Sequence, residues 1–236
     1  MLLFDLGGTL VHYYDRHQFP KILRQAVSSV LDELHCRGLL SVEPRSIWAR
    51  VAEEDHESED HRVRPLEGRL ARIFDIDLFE HPGLVADLCR AFMEPIFARG
   101  SVYEDTFMAL EEARSRGFRT AIVSNTPWGS PSNLWREEVE RLGLRRLVEE
   151  VVFCRDVGWR KPTRQIFEYM LERLIVSPDR CIFVGDDPRW DIVGPESIGI
   201  KSVLIERHST PYDAVEGRVT TLLQIWENVE YKTEEK

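Results

Sequence analysis

The sequence predicts an α/β fold: a parallel sheet covered on both faces by helices, with an all-helical segment inserted after the first strand. Three observations carry this. Short apolar runs alternate with helical periodicity from about residue 100 onward, the pattern of a parallel sheet joined by crossover helices. The first apolar run, Met1-Leu2-Leu3-Phe4, stops abruptly at Asp5 and the pair Gly7-Gly8, as a buried strand does. Residues 20–98 then show helical spacing and no strand signal.

Each element has its own signal. Residues 11–17 are polar and aromatic without periodicity and read as a loop or short hairpin. Residues 20–34 open on Pro20 and place apolar residues at 22, 23, 26, 27, 30, 31 and 34, one helical face. Further helices are expected over 43–57, 65–76 and 82–98, with Pro95 kinking the last or ending it early. Trp48, Phe74, Phe92 and Phe97 read as core of this bundle. Then come a helix over 107–116, a strand over 119–125, a helix over 133–142 and a strand over 150–154. A helix over 163–174, a strand over 180–184, a short helix over 191–198 and a last strand over 201–205 follow. Residues 220–229 read as a final helix before a charged tail.

The chain has 236 residues and a net charge of −10, which argues against nucleic acid or anionic lipid as partner. No run of about 18 apolar residues occurs. With a strand beginning at Met1, no signal peptide is expected. Cys36, Cys89, Cys154 and Cys181 have no metal-like spacing and read as reduced core thiols of a cytoplasmic protein. The expected assembly is a monomer or homodimer.

Four polar points lie just past four predicted strands: Asp5, Ser124, Lys161 and the Asp186/Asp187/Asp191 group. Parallel strand ends converge on one crevice. Two carboxylates there can hold Mg²⁺ through oxygen. A lysine can neutralise phosphate and carboxylate, and a serine with backbone amides can donate to phosphate oxygens. Asp5 can attack phosphorus to form an aspartyl phosphate. Asp191 is expected to orient Lys161 or a water, and Gly8 and Thr9 to support the turn with an amide facing phosphate.

These residues resemble the haloacid dehalogenase superfamily. Asp5-Leu6-Gly7-Gly8-Thr9-Leu10 is similar to its first motif, Ile122-Val123-Ser124-Asn125 to its second, Arg160-Lys161-Pro162 to its third, and Gly185-Asp186-Asp187 with Asp191 to its fourth. The resemblance implies a Rossmann-like, doubly wound core over residues 1–15 and 99–236 with a helical C1 cap over 16–98. It implies Asp5 as nucleophile and Ser124, Asn125 and Lys161 on phosphate. Asp5, the Gly7 carbonyl and Asp186 would hold Mg²⁺, with Asp187 and Asp191 in support. The expected activity is hydrolysis of a small phosphorylated metabolite.

Gly7 departs from the family pattern, in which most phosphatases carry a second aspartate that protonates the leaving alcohol. His12, Asp15, Tyr13 or Tyr14 could replace it, or the substrate could leave without help. A 2-haloacid dehalogenase also lacks that aspartate, but the acidic Asp186 favours a magnesium enzyme. A non-catalytic binding protein is the remaining alternative. The acidic run around His56 and His61 reads as a solvated helix end or loop, with a second metal site as the lesser reading.

Overall fold

The computed structural model describes residues 1–39, 43–54, 58–77, 83–207 and 218–227. Six parallel strands form one sheet in the order β5 (Glu150–Phe153), β4 (Thr120–Ser124), β1 (Leu2–Phe4), β6 (Ile182–Gly185), β7 (Lys201–Ile205) and β8 (Arg218–Val219). β1 is central because its residues are apolar on both faces. Leu2 and Phe4 pack with α5 (Thr106–Ser115) and α6 (Ser132–Arg141), while Leu3 packs with α8 (Arg164–Leu174) on the opposite side. Phe4 sits level with Ile122 of β4 and Val184 of β6; β6 runs one residue and β4 two residues beyond that level.

The insertion consists of α1 (Phe19–Cys36), α2 (Pro44–Glu53), α3 (Leu66–Phe74) and α4 (Leu84–Phe97). Ile22, Ala26, Val27, Val30 and Leu34 make the buried stripe of α1, which packs along α4. The chain leaves and re-enters the core through an antiparallel pair, β2 (Val11–His12) with β3 (Ser101–Val102). The strand partner of residues 11–12 thus lies about ninety residues away, not in a local hairpin.

Several expectations need correction. α4 does not end early at Pro95 but runs on to Phe97; proline forfeits one i→i−4 bond, and the last turn still closes through the Ala98 N–H on the Glu94 carbonyl at 2.9 Å. Trp48 is 38% exposed, because Ile47 and Val51 take the buried stripe of α2 and leave Trp48 on its flank. Residues 188–192 form one π turn, and α9 (Val193–Glu196) is shorter than the helix expected there. β8 was not anticipated, and the last described element is a 3₁₀ helix, Leu222–Glu227. α7 (Cys154–Val157) is a further short helix after β5. Cys36, expected in the core, is exposed at the last position of α1, while the other three cysteines are buried. His56 and the ends of the second and final expected helices lie outside the described residues.

The insertion also touches the core away from its two connections. The Val63 N–H donates to the Gly158 carbonyl at 3.0 Å, and the Arg160 N–H to the His61 carbonyl at 2.9 Å. Arg62 lies over the Trp159 ring at 4.5 Å, and Arg155 bonds Glu67 at 2.8 Å. Gly129 has φ +66, and a Cβ there would lie 2.1 Å from the Arg64 carbonyl oxygen. Only glycine lets the two backbones approach this closely.

Candidate active site

Asp5 is the residue after β1. Its N–H donates to the Val184 carbonyl at 2.9 Å, which carries the parallel pairing one step past the strand. The chain then turns sharply: Leu10 and Val11 both donate to the Leu6 carbonyl at 2.9 Å, and Gly8 donates to the Val11 carbonyl at 2.8 Å. Gly8 has φ +80, and a Cβ on it would lie 2.3 Å from an Asp186 carboxylate oxygen. The turn therefore needs glycine both for its conformation and for the approach of Asp186.

Lys161 reaches the same point from the loop before α8. Its Nζ donates to Asp5 Oδ1 and to Asp191 Oδ1, both at 2.6 Å. The side chain is 1% exposed. Burial alone would make the ammonium easier to deprotonate; Asp191 and Asp5 more than offset this, and the net shift is upward. Asn125, directly after β4, fixes the lysine backbone. Its Oδ1 accepts the Lys161 N–H at 2.8 Å, and its Nδ2 donates to the Lys161 carbonyl at 3.3 Å. Ser124, the last residue of β4, is buried at the strand end. Thr9 is fully buried, and its hydroxyl has no hydrogen-bond partner.

Asp5, Asp186 and Asp191 each offer a carboxylate oxygen, and the three oxygens lie within 4.8 Å of one another. Burial pushes the Asp186 carboxyl well up, with Asp191 and Asp5 adding to the shift. Burial also raises Asp191, to about 7; Lys161 pulls against this and Asp5 adds to it. Three carboxylates around one ammonium are short of positive charge, which suits a hard divalent cation. Asp187 turns away from this cluster. It accepts from the Arg189 guanidinium at 2.8 Å, with Arg16 3.6 Å away. Burial raises its carboxyl, but the Arg189 hydrogen bonds outweigh that and hold it below the ordinary range.

Of the candidate substitutes for a proton donor at Gly7, Tyr13 stands beside the glycine itself. The Tyr13 ring lies 3.6 Å from where a Gly7 Cβ would stand and meets Trp135 edge-on at 5.5 Å. Burial first, then the nearby Glu138, push its phenol well up. His12 Nδ1 lies 3.4 Å from the Tyr103 hydroxyl. Tyr14 packs on Phe19 with ring centres 5.9 Å apart. Asp15 precedes the 3₁₀ turn Arg16–Gln18, its N–H donating to Gln18 at 3.1 Å.

The structure brings Asp5, Lys161, Asp186 and Asp191 together. The double hydrogen bond between Asn125 and Lys161 and the pairing of Arg189 with Asp187 are not apparent from the sequence. An arginine two residues after an aspartate in a proline-led turn was the available signal for the second.

The haloacid dehalogenase-like hydrolase family matches residues 1–199. The chain belongs to this family. A glyceraldehyde 3-phosphate phosphatase of Methanopyrus kandleri is 33% identical over 206 residues, 87% of this chain and 83% of that one. The same-named enzyme of Methanothermobacter thermautotrophicus is 28% identical, over 89% of this chain and 86% of its own. A phosphoserine phosphatase of Thermus thermophilus is 29% identical, over 71% of this chain and 66% of its own. Among solved structures, a phosphatase of this family from Thermococcus onnurineus superposes with a TM-score of 0.65 at 25% identity, covering 96% of each chain. A 2-haloacid dehalogenase from Pseudomonas syringae shares the fold at a TM-score of 0.69 and 22% identity, again over 96% of each chain. The haloacid dehalogenase-like hydrolase thus has phosphatases among its relatives, and its sheet is the Rossmann-like one that its strand pattern predicts. No helix among its described residues is long and apolar enough to cross a membrane.

Proposed function

We propose that this hydrolase is a Mg²⁺-dependent phosphatase that cleaves a small-molecule phosphate monoester through an aspartyl phosphate on Asp5. The observation that carries the reading is the buried Lys161 ammonium between Asp5 and Asp191, with Asp186 beside it. The phosphatase names of the similar proteins support it.

Lys161 fixes Oδ1 of Asp5 and leaves the other carboxylate oxygen to attack phosphorus. The P–O bond to the alcohol breaks in line, and the alkoxide takes its proton from solvent. Water then attacks phosphorus, releasing inorganic phosphate and restoring Asp5. Ser124, the Asn125 region and the Thr9 amide stabilise the transferring phosphoryl oxygens; the Gly8 amide, expected to share this role, is taken by the Val11 carbonyl and supports the turn instead. Asp5, Asp186 and the Gly7 carbonyl would hold Mg²⁺, which supplies the positive charge that lets a phosphate dianion approach a carboxylate. Asp191 orients Lys161. Asp187 supports the site through its arginine pairs. In this reading residues 1–15 and 99–236 are the core and 16–98 a C1 cap.

Gly7 offers no side chain to protonate the leaving group. That term is worth about 10² to 10⁴ in rate, so the reading favours weakly basic leaving groups. The test is hydrolysis of p-nitrophenyl phosphate with and without Mg²⁺, with Asp5→Asn as control. Turnover that needs both the metal and Asp5 supports the phosphatase. Halide release from a 2-haloacid without metal would replace it with a dehalogenase.

A further inference from the structure

Away from the catalytic carboxylates, a second buried ion pair grips the nucleophile turn from behind. Asp105 stands at the start of α5, just after the insertion re-enters the core, and Arg207 stands two residues past β7. Arg207 donates to Asp105 through both terminal nitrogens, at 2.8 Å each. Its Nη2 also donates to the Thr9 carbonyl at 2.7 Å. The guanidinium lies over the Tyr103 ring, 4.0 Å from its centre, and is 8% exposed. Asp105 further accepts from the Thr221 hydroxyl at 2.7 Å and the Leu222 N–H at 2.8 Å. The adjacent Leu10 carbonyl is held too, by the Tyr103 N–H at 3.1 Å and the Thr106 hydroxyl at 2.8 Å.

We infer that Arg207, oriented by Asp105, is a positioning residue: it holds the Thr9 carbonyl and thereby sets the turn that presents Asp5 and its neighbouring amides. The physical reasons lie in the donors. A guanidinium is a planar fork, so one side chain can bridge a carboxylate and a carbonyl at fixed angles; a lysine cannot. The residues of the turn bond mostly to one another, and the Arg207 contact is an outside hold on it from the segment after β7. Burial raises the Asp105 carboxyl, but the donors from Arg207, Thr221 and Leu222 outweigh this and keep it below the ordinary range. The ion pair is therefore intact at neutral pH. The C-terminal segment at 218–227 closes over Asp105, so it takes part in the hold. Reactant placement errors near 1 Å cost about 100-fold in rate, and that sets the size of effect to look for.

This inference rests on the phosphatase reading for its kinetic arm only. The variants are Arg207→Ala, Arg207→Lys and the milder Asp105→Asn, studied in the full chain. With p-nitrophenyl phosphate and Mg²⁺, Arg207→Ala should lose about 100-fold in kcat with less than about threefold change in KM. Added guanidinium ion should restore at least about tenfold of it, and Arg207→Lys should not behave as wild type. Independently of any turnover, hydrogen exchange at amides 6–11 should quicken in Arg207→Ala and Asp105→Asn while amides 2–4 of β1 stay protected. A folded Arg207→Ala with wild-type kcat and wild-type exchange at 6–11 overturns the inference. So does a kcat loss that guanidinium does not touch and that matches the unfolded fraction. If wild type turns over no phosphate, the exchange result alone decides, and the failure belongs to the phosphatase reading. If Arg207→Ala does not fold, Asp105→Asn decides by the same exchange pattern.

Discussion

Asn125 and Lys161 are hydrogen-bonded twice, amide oxygen to backbone N–H at 2.8 Å and amide nitrogen to backbone carbonyl at 3.3 Å. The residue after β4 therefore sets where the lysine loop sits, and with it the ammonium on Asp5. Asn125→Ala removes both bonds and leaves the lysine present. The expected result is a fall in kcat of about 10- to 100-fold, by the placement argument, with a melting temperature within a few degrees of wild type. Steady-state kinetics beside a thermal melt check it.

Lys161→Met leaves Asp5 and Asp191 buried without their shared cation. Breaking such a pair costs about 3–5 kcal/mol. Urea unfolding should show a loss of that order together with no measurable turnover. Lys161→Met combined with Asp191→Asn should recover part of the stability and none of the activity. Equal stability of the single and double variants would show that the two groups are not coupled.

A Gly7 side chain meets only ordinary contact, 3.6 Å from the Tyr13 ring, and its φ lies outside the left-handed region. Gly7→Asp should therefore fold. It should raise kcat/KM for alkyl phosphates more than for aryl phosphates, whose leaving groups need no proton. Gly8→Ala makes the contrast, since its Cβ would strike Asp186; it should lose metal-dependent activity altogether.

Metal binding to the carboxylate cluster should stabilise the fold by mass action. At a free Mg²⁺ concentration a hundred times its Kd the gain is about 2.7 kcal/mol. Thermal melts with increasing Mg²⁺ should move upward in wild type and stay still in Asp186→Asn.

Stability should fall in alkali through Tyr13. Burial and Glu138 raise its phenol in the folded chain above the ordinary value of 10. The folded state then holds the proton more tightly, so this contribution is complete below pH 10 and is lost as pH rises beyond it. Tyr13→Phe keeps the ring on Trp135 and should flatten the decline of the urea midpoint above pH 10.

The strands of the sheet and the catalytic candidates at their ends are legible because the signal for each is local in sequence. An apolar run that stops at Asp5 or at Gly185-Asp186 announces a buried strand and the residue at its end. What was not legible depends on distant partners. Residues 11–12 pair with 101–102, β8 joins the edge of the sheet beside β7, and Arg207 meets Asp105 and Thr9 across most of the chain. Trp48 was misjudged because a stripe of apolar residues does not tell which member sits on its flank. The π turn at 188–192 has no periodic signal of its own.

The backbone bonds between Val63 and Gly158 and between Arg160 and His61 have a mechanical result. Residues 158–160 run directly into Lys161, so the helical insertion is stitched to the same strand of chain that carries the ammonium. Lifting the insertion off the sheet would break those bonds and pull on that loop. The insertion and the ammonium thus share one length of chain, held from the helical side at 158–160 and from the sheet side by Asn125.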